Sequence, residues 1–513
     1  MKQVLKRLGL MVALAIVVGA VAAVLSNAQQ TAQTVPLDRT AVWKTHVPHE
    51  NPNMWGAKAP DTSAKPGGGG GKPGGGGGGG GTFTGTGYTT VGAPVAATTT
   101  TPAAEEHIAV DPNLADFSKM VAAISDFSQR GGWNTTKYAV SYNNGAGWAE
   151  AFVPCQTATL FGSTQCYPAT SDGQVWEANS DPVVVIDRAG RVFLANLYFN
   201  GDNNAGGFYV SVGSLGSANL GISAGTTYPV AVQLDPNTNV FEDKEWIAVD
   251  NSGGSRDGYV YASWTRFTGS LDAIMFSKSS DHGQTWSATP LQISPSSQSG
   301  AVQGSQVAVG PDGTIYVVYE VFYVGSQRAH FLAKSTNGGT SFSTPVQITP
   351  LFGELKFNST YRKNTFASLA VGPTGTIYVV YADQPKNGSS QTRFIYSTNG
   401  GNTFSSPVSM NDSSTGQRLM PSVAADGTGI HISWFDTRNG AGSTALYDIY
   451  ATRSDNGTAF SPNQRVTPST INAGTASFIG DYGGVAASSG YAHPVWTNGG
   501  FNGGSLQTAT LTK

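Results

Sequence analysis

Arginine and carboxylate side chains occur at the ends of strand-like segments, and their types are suited to binding or cleaving an acidic ligand. A guanidinium group binds a carboxylate through two parallel hydrogen bonds, so a cluster of three arginines would suit an acidic sugar. Two carboxylates about 5 to 10 Å apart would instead suit an ordinary glycoside hydrolase. The same side chains could equally form salt bridges around a polar funnel. The candidate ligand-binding residues are Arg266, Arg418 and Arg438, and the candidate catalytic carboxylates are Glu245, Asp436 and Asp481.

Other kinds of chemistry are disfavoured by residue spacing and by charge. The 7 histidines show no paired spacing for zinc, the glycine-rich sequence lacks the Gly-Lys-Ser/Thr ending of a phosphate loop, and no Gly-x-Ser-x-Gly elbow occurs. Charged residues make up 12% of the chain and the net charge is -3, which leaves no electrostatic footprint for nucleic acid. We therefore predict no metal, no cofactor and no nucleic-acid partner.

The amino-terminal part of the chain is predicted to be a leader and a tether. Residues 1–28 combine a basic start, a long apolar run and a small-residue cleavage site, which is typical of a secretion signal. An uncleaved membrane anchor is the alternative. Residues 29–104 are rich in Gly, Pro and Thr, and their polyglycine run offers no side chain to bury. We expect this segment to be a flexible, disordered linker.

An exported chain would meet an oxidising compartment, and this bears on the cysteines. The only two are Cys155 and Cys166. A disulfide between them is favoured over two separate buried thiols, and two cysteines without nearby histidines are too few for a metal site. The predicted location is therefore outside the cell or on its surface.

A hairpin pattern repeats through residues 105–513 and must position the candidate side chains. The segments VAVGPDGTIYVVY (Val307 to Tyr319) and LAVGPTGTIYVVY (Leu369 to Tyr381) each join two apolar strands through a Gly/Pro turn. Seven such copies, each followed by further strand-like runs, predict an all-β fold: a single β-propeller of seven four-stranded blades, with six blades as the alternative. The last unit shows only three strands, so the segment PVAATTT before Glu105 could supply the fourth.

A second recurring motif lies between the third and fourth strands of five units. It reads Ser-x-Asp/Asn-x-Gly-x-x-aromatic, and an Asp or Asn there can accept hydrogen bonds from backbone amides while Gly adopts a positive φ. Five copies at five places around a ring are expected to be folding devices, not catalytic groups. The Asp or Asn positions are Asn143, Asp281, Asn337, Asn399 and Asp455, with Arg453 replacing Ser in the last copy.

At these turns the chain resembles the sialidase-like Asp-box, or BNR-repeat, β-propellers. The resemblance covers residues 105 to 510 and implies a propeller with the turns on its outer rim. A sialidase further implies a tyrosine nucleophile activated by a glutamate and an aspartate acid/base. Tyr482 and Glu245 could fill the first two roles, and Asp436 or Asp481 the third. However, the sialidase signature Phe/Tyr-Arg-Ile-Pro does not occur in this chain.

Three functions follow as hypotheses. The first is a secreted or surface recognition module, a monomer that binds a glycan or an extracellular protein at the channel mouth. The second is a glycoside hydrolase, exo-sialidase-like, that uses the carboxylate and arginine cluster. The third is a structural or assembly protein of the cell envelope. Because the loops entering strand one and leaving strand two meet around the channel of a propeller, the first two hypotheses place the important side chains at one mouth.

Overall fold

The computed structural model is a single ring of antiparallel sheets. It describes residues 83–113, 118–127, 135–160, 163–173, 175–200, 206–222, 230–235, 240–268, 272–386, 388–500 and 503–513, with the backbone alone for 155–160 and 163–168. The sheets form a seven-bladed β-propeller, so the predicted fold and the larger of the two blade counts are confirmed. The predicted leader and most of the predicted tether lie outside the described residues.

Each blade is a four-stranded antiparallel sheet whose first strand lines the central channel. Two short strands, β1 (Thr90–Val91) and β2 (Val95–Ala96), precede the first blade. Blade one contains β3 (Ala103–Val110), β4 (Met120–Asp126), β5 (Thr135–Ser141) and β6 (Ala149–Phe152), and a hairpin of β7 (Cys155–Leu160) and β8 (Ser163–Pro168) follows it. Blade two contains β9 (Ala178–Ile186), β10 (Arg191–Phe199), β11 (Gly206–Ser214) and β12 (Val230–Asp235). Blade three contains β13 (Phe241–Val249), β14 (Val260–Phe267), β15 (Ala273–Ser279) and β16 (Leu291–Gln292).

The remaining blades repeat this order. Blade four contains β17 (Val302–Val309), β18 (Ile315–Tyr323), β19 (Gln327–Ser335) and β20 (Val346–Gln347), with β21 (Phe352–Gly353) added to β19. Blade five contains β22 (Ser368–Val371), β23 (Ile377–Asp383), β24 (Gln391–Ser397) and β25 (Val408–Ser409). Blade six contains β26 (Arg418–Asp426), β27 (Gly429–Asp436), β28 (Leu446–Ser454) and β29 (Gln464–Arg465), with β30 (Ile471–Asn472) added to β28. Blade seven contains β31 (Gly484–Ser488), β32 (Tyr491–Thr497), β33 (Leu506–Thr508) and β34 (Leu511–Thr512), and 3-10 turns lie at Ala218–Gly221 and Ser296–Gln298.

The inner strands are apolar on both faces because each blade packs between two others. Between blades four and five, Tyr316 and Val318 pack in one cluster with Leu369, Ile377 and Val379. Burying one aliphatic side chain of this size contributes about 1.5 to 3 kcal/mol. The nearly continuous apolar runs in the sequence therefore arise from the interfaces between blades.

The ring is closed by strands from both ends of the chain. In blade seven, β33 and β34 both pair with β32 and are two pieces of the third strand. Thr90 of β1 pairs with Thr512 of β34, and Val95 of β2 pairs with Thr508 of β33. The missing fourth strand thus comes from the segment ahead of Glu105, as the strand count indicated. The propeller also begins earlier than the predicted boundary at residue 105, because this segment completes the last blade.

Four of the predicted turns share one hydrogen-bond pattern. The serine hydroxyl donates to the Asp or Asn side chain at 2.8 to 2.9 Å and accepts from the glycine amide at 2.8 to 3.0 Å. The glycines have φ between 75° and 82°, which disfavours a side chain. The pairs are Ser141 with Asn143, Ser279 with Asp281, Ser335 with Asn337, and Ser397 with Asn399.

The fifth turn is shifted by one residue from the predicted alignment. Ser454 donates to Asn456 at 3.2 Å and accepts from the Gly457 amide at 2.9 Å, so Asp455 is not the turn acceptor. Arg453 is fully buried, and one of its guanidinium nitrogens donates to the Thr86 carbonyl at 2.8 Å. The shift has a physical reason, since Arg453 holds the amino-terminal segment against blade six.

The predicted disulfide stays a prediction. Cys155 pairs in the backbone register with Pro168, and Cys166 pairs with Thr157, so the cysteines are diagonal neighbours in the β7–β8 hairpin. Their side chains lie outside the described part of the structure. Within the described ranges, no helix has the length and apolar character needed to cross a membrane.

Candidate functional site

Irregular inner strands direct charged side chains toward the centre of the ring. The pairing register shifts between Ala104 and Glu106 in β3 and between Asp243 and Trp246 in β13, with another shift in β9. The bulged residues have a positive φ, which non-glycine residues rarely adopt. These residues are Glu105 (62°), Asp181 (50°) and Lys244 (55°).

Lys244 forms the centre of a buried ion network that joins four blades. Its Nζ lies 2.8 Å from Asp481 Oδ2 and 3.0 Å from Asp181 Oδ2. It also lies 3.6 Å from Asp243 Oδ1 and 3.7 Å from Glu105 Oε1. Because these side chains come from blades one, two, three and seven, the network ties distant parts of the ring together. We call these five residues the central network.

A loop between blades four and five completes the central network. Arg362 forms an ion pair with Asp481, and its guanidinium group packs on the Phe478 ring at 4.9 Å. Asn364 donates to the Asp481 backbone carbonyl at 2.8 Å. Asp481 is therefore held by two cations and an amide, and only 2% of its side chain is exposed.

Burial and ion pairing move the pKa values of the central network in opposite directions. Burial raises the pKa of Asp243 to about 7, although the Lys244 charge opposes this rise. Burial also raises the pKa of Glu105, and the nearby Asp181 charge adds to the effect. For Asp481, burial acts upward but the Arg362 and Lys244 charges outweigh it, so its pKa is lowered. Near neutral pH the network thus holds protonated and ionised carboxyls side by side.

Two of the sequence-predicted catalytic residues, Glu245 and Tyr482, lie beside this network. Both carboxyl oxygens of Glu245 and the Tyr482 hydroxyl are buried, and none of the three atoms has a hydrogen-bond partner among the described residues. Burial raises the pKa of Glu245, as does the Asp181 charge. Burial raises the pKa of Tyr482 as well, and the charges of Asp181 and Glu105 add to it. Both shifts favour the neutral form of the side chain.

Asp436 is held between Arg418 and Arg438 in blade six, and Arg438 also pairs with Asp412. Asp436 Oδ2 accepts from Arg418 Nε at 3.1 Å and from an Arg438 guanidinium nitrogen at 2.8 Å. It also accepts from Trp434 Nε1 at 2.9 Å. Arg438 packs over the Tyr450 ring at 4.0 Å. Arg418 and Asp436 are fully buried, so this group has the character of an internal salt bridge.

Arg266 belongs to a separate group in blade three. Its guanidinium group lies 2.5 Å from Glu242 Oε1, while Trp264 Nε1 donates to Glu242 Oε2 at 2.6 Å. The same Trp, carboxylate and Arg arrangement thus occurs in blades three and six. The structure does not bring Arg266 together with Arg418 and Arg438, because carboxylates in two different blades hold them.

Other carboxylates at the ends of second strands also pair within their own blades. Asp126 pairs with Lys137 at 3.0 Å, Glu320 with Arg328 at 3.2 Å, and Asp383 with Arg393 at 3.0 Å. Each pair joins the second strand to the third. Their recurrence in three blades indicates a stabilising role.

The carboxylates of the central network surround a lysine and not a metal-binding group. Within the described residues, no three His, Cys, Asp or Glu side chains are grouped to hold a metal ion. Lys244 occupies the position at which the carboxylates converge.

Trp246 is a residue of this region that the sequence analysis did not identify. Its ring lies edge-on to the Tyr482 ring, with 5.6 Å between the ring centres. The sequence signal that could have identified it is its position directly after the bulge in β13.

The fold and this site define a class: a seven-bladed β-propeller whose centre is closed by buried ion pairs. No protein-family model and no curated protein matches the chain. Among solved structures, the chain is similar to Hadza microbial sialidase Hz136, with 14% identity over 77% of this chain and 79% of that chain and a TM-score of 0.41.

Two other similar structures are carbohydrate-active enzymes of different kinds. An ulvan lyase is 12% identical over 82% of this chain and 96% of that chain, with a TM-score of 0.45. An alpha-l-arabinofuranosidase from Fusarium graminearum is 12% identical over 72% of this chain and 98% of that chain, with a TM-score of 0.45. Similarity this low says nothing about the activity of this chain.

Proposed function

We propose that this protein is an exported recognition module that binds a glycan or an extracellular protein near the channel mouth. The observation that carries the proposal is the neutralisation of the groups that would perform hydrolysis. Asp436 is held by two arginines, Asp481 by Lys244 and Arg362, and Arg266 by Glu242. A polar group already satisfied by buried partners is a poor catalyst, but it makes a stiff scaffold.

Rigidity itself supports a binding role. A surface held in its binding conformation loses little conformational entropy on association. The central network joins four blades, and the loop carrying Arg362 and Asn364 is tied to Asp481. In this proposal a monomeric propeller presents its loops outside the cell or at its surface, and the glycine-rich segment is the tether.

A glycoside hydrolase is the second candidate, and one observation favours it. The side-chain oxygens of Glu245 and Tyr482 are buried and have no hydrogen-bond partner among the described residues. Burial is the main cause of the raised pKa of both side chains, and the Asp181 charge is the second. Once it is ionised, the Glu245 carboxylate could accept the Tyr482 proton and so activate the tyrosine as a nucleophile. The sialidase-like family assignment belongs to this candidate and is likewise a proposal.

The test is to incubate the full chain with a mixed glycan panel that includes sialosides and to measure retained and cleaved glycans by mass spectrometry. We expect retention without cleavage. Cleavage that is lost in Glu245→Gln but kept in the matched Glu354→Gln, whose side chain is 34% exposed, would establish the hydrolase instead. If no glycan is retained and none is cleaved, a glycan ligand is excluded. An extracellular protein is then the partner of the module.

A further inference from the structure

The central channel continues beyond the ion network as a cavity of about 300 Å³ walled by the inner strands. Trp246 lines this cavity and separates it from the network, because its ring also contacts Tyr482 at 5.6 Å. The His107 ring meets the Trp246 ring edge-on at 4.9 Å. We call this space the lower channel.

Three polar side chains of the lower channel accept hydrogen bonds from the next blade. The Val184 amide donates to His107 Nδ1 at 3.2 Å, and the Leu369 amide donates to Gln306 Oε1 at 3.0 Å. The Val423 amide donates to Ser368 Oγ at 3.2 Å. In each case a backbone amide donates to the acceptor atom of the side chain. The donor hydrogens of the same side chain are therefore still available to a ligand.

These remaining donors face the lower channel. Since His107 Nδ1 accepts, the proton of the neutral ring is on Nε2, and burial lowers the pKa of His107 to about 4, which keeps the ring neutral. The Gln306 amide and the Ser368 hydroxyl keep free hydrogens in the same way. Trp246 Nε1 and Ser422 Oγ also line the cavity, and neither donates to a described residue.

We propose that the lower channel binds a small carboxylate with an apolar body. A carboxylate only accepts hydrogen bonds, so it can use all of these donors, whereas sugar hydroxyls and amines also bring donors and the acceptor atoms of His107, Gln306 and Ser368 are already occupied. No Asp or Glu is among the described residues that line the cavity, so a negative group meets no like charge on the wall. The valine, isoleucine and alanine walls, which include Val185 and Ala248, suit a hydrocarbon remainder.

The size of the cavity limits the ligand to a small molecule. A volume of about 300 Å³ matches a single ring with one substituent. This site is independent of the surface in the proposed function, because Trp246 and the central network lie between the two. Its occupation can therefore be tested whether or not a glycan binds.

The experiment is a calorimetric titration of the full chain with benzoate and with benzyl alcohol, which match in shape but differ in the acceptor group. Benzoate is expected to bind at least about tenfold more tightly, because hydrogen bonds to a charged acceptor are stronger. Gln306→Glu keeps the oxygen that accepts from Leu369 but replaces the donor with a negative oxygen. This variant is expected to weaken benzoate binding by more than about tenfold.

Two further variants separate binding from folding. Ser422→Ala removes one donor without touching a bond between blades and is expected to weaken benzoate binding several-fold. Gln347→Glu places the same charge change on the exposed outer strand of blade four and is expected to leave binding unchanged. The proposal is overturned if benzoate at about 10 mM does not bind, if benzyl alcohol binds equally well, or if Gln306→Glu binds benzoate as the wild type does.

Discussion

At the scale of single residues, three consecutive charged side chains in β13 have different environments. Asp243 and Lys244 face one another within the central network, and Lys244 gains carboxylate partners from three other blades. Glu245, the next residue, is also buried, but neither of its carboxyl oxygens has a hydrogen-bond partner in the described part of the chain. The bulge between Asp243 and Trp246 produces this difference, because it changes the direction in which successive side chains point.

The pH dependence of stability follows from the raised pKa of Glu245. Burial first, and then the Asp181 charge, raise the folded-state pKa above the unfolded value of about 4.3. The contribution of Glu245 to stability is therefore complete below the unfolded pKa and is lost as the pH rises through the folded pKa. Glu245→Gln removes this titration, so we expect the variant to be more stable than wild type at pH 8 by the order of 2 kcal/mol.

Urea unfolding at pH 4.5 and at pH 8 measures this prediction. The advantage of Glu245→Gln should shrink toward zero at the lower pH. Glu354→Gln is the control, since Glu354 is partly exposed and pairs with Arg328, and its curve should stay parallel to wild type. Equal differences from wild type at both pH values for Glu245→Gln would show that Glu245 does not titrate differently on folding.

At the scale of elements, each turn between a third and a fourth strand is held by two side chains, a serine and an Asp or Asn, that accept hydrogen bonds from backbone amides. In blade five, Ser397 accepts from the Gly401 amide at 3.0 Å, and Asn399 accepts from the Thr403 amide at 3.0 Å. The Asp281 turn makes the same bonds with a carboxylate. Asp and Asn are thus interchangeable here because both supply an oxygen at the same position.

We predict that Ser397→Ala destabilises the protein by about 1 to 2 kcal/mol, because the buried Gly401 amide loses its acceptor. Asn399→Asp should stay within about 0.5 kcal/mol of wild type, since the Asp281 turn already uses a carboxylate. Thermal unfolding of both variants measures the effect, with Ser406→Ala as the control at an exposed serine of the same loop. A large loss in Asn399→Asp would contradict the equivalence of the two side chains.

At the scale of the whole molecule, ring closure makes the two chain ends interdependent. The Ala97 amide donates to the Leu506 carbonyl at 2.8 Å, and the Gly92 amide donates to the Thr510 carbonyl at 2.8 Å. Tyr88 extends the contact to blade six, where its hydroxyl lies 3.1 Å from His431 Nδ1. Residues well before the repeated region therefore stabilise the last two blades.

We predict that Ala97→Pro destabilises the propeller by about 2 to 4 kcal/mol, because proline removes the donor to Leu506 and adds a ring at a buried position directly after β2. Thermal unfolding and limited proteolysis between blades seven and one measure the effect. Thr100→Pro is the control, since the Thr100 amide donates to no described residue and its side chain is exposed. Equal stability of Ala97→Pro and wild type would mean that this pairing does not close the ring.

The repeats made the blade number and the closing strand predictable because both depend on local pattern. Apolar runs with Gly/Pro turns indicate strands that are buried between blades, and a blade that lacks one strand must take it from the other end of the chain. The turns between third and fourth strands could also be predicted, because their hydrogen bonds join residues only a few positions apart, such as Ser335 and Gly339. Only the fifth turn shifted, since a distant contact from Arg453 to Thr86 decided its register.

The partners of the charged residues were decided by tertiary structure alone. Position in a repeat predicts that side chains approach one mouth, and Asp481, Lys244 and Asp181 do meet there. Position in a repeat does not predict bulges or the direction of side chains. The sequence therefore could not predict that Arg266 and Arg418 form ion pairs in different blades, nor which donors line the lower channel. The proton on His107 Nε2 follows from the Val184 amide that donates to Nδ1, and the Leu369 amide that donates to Gln306 Oε1 orients the Gln306 side chain.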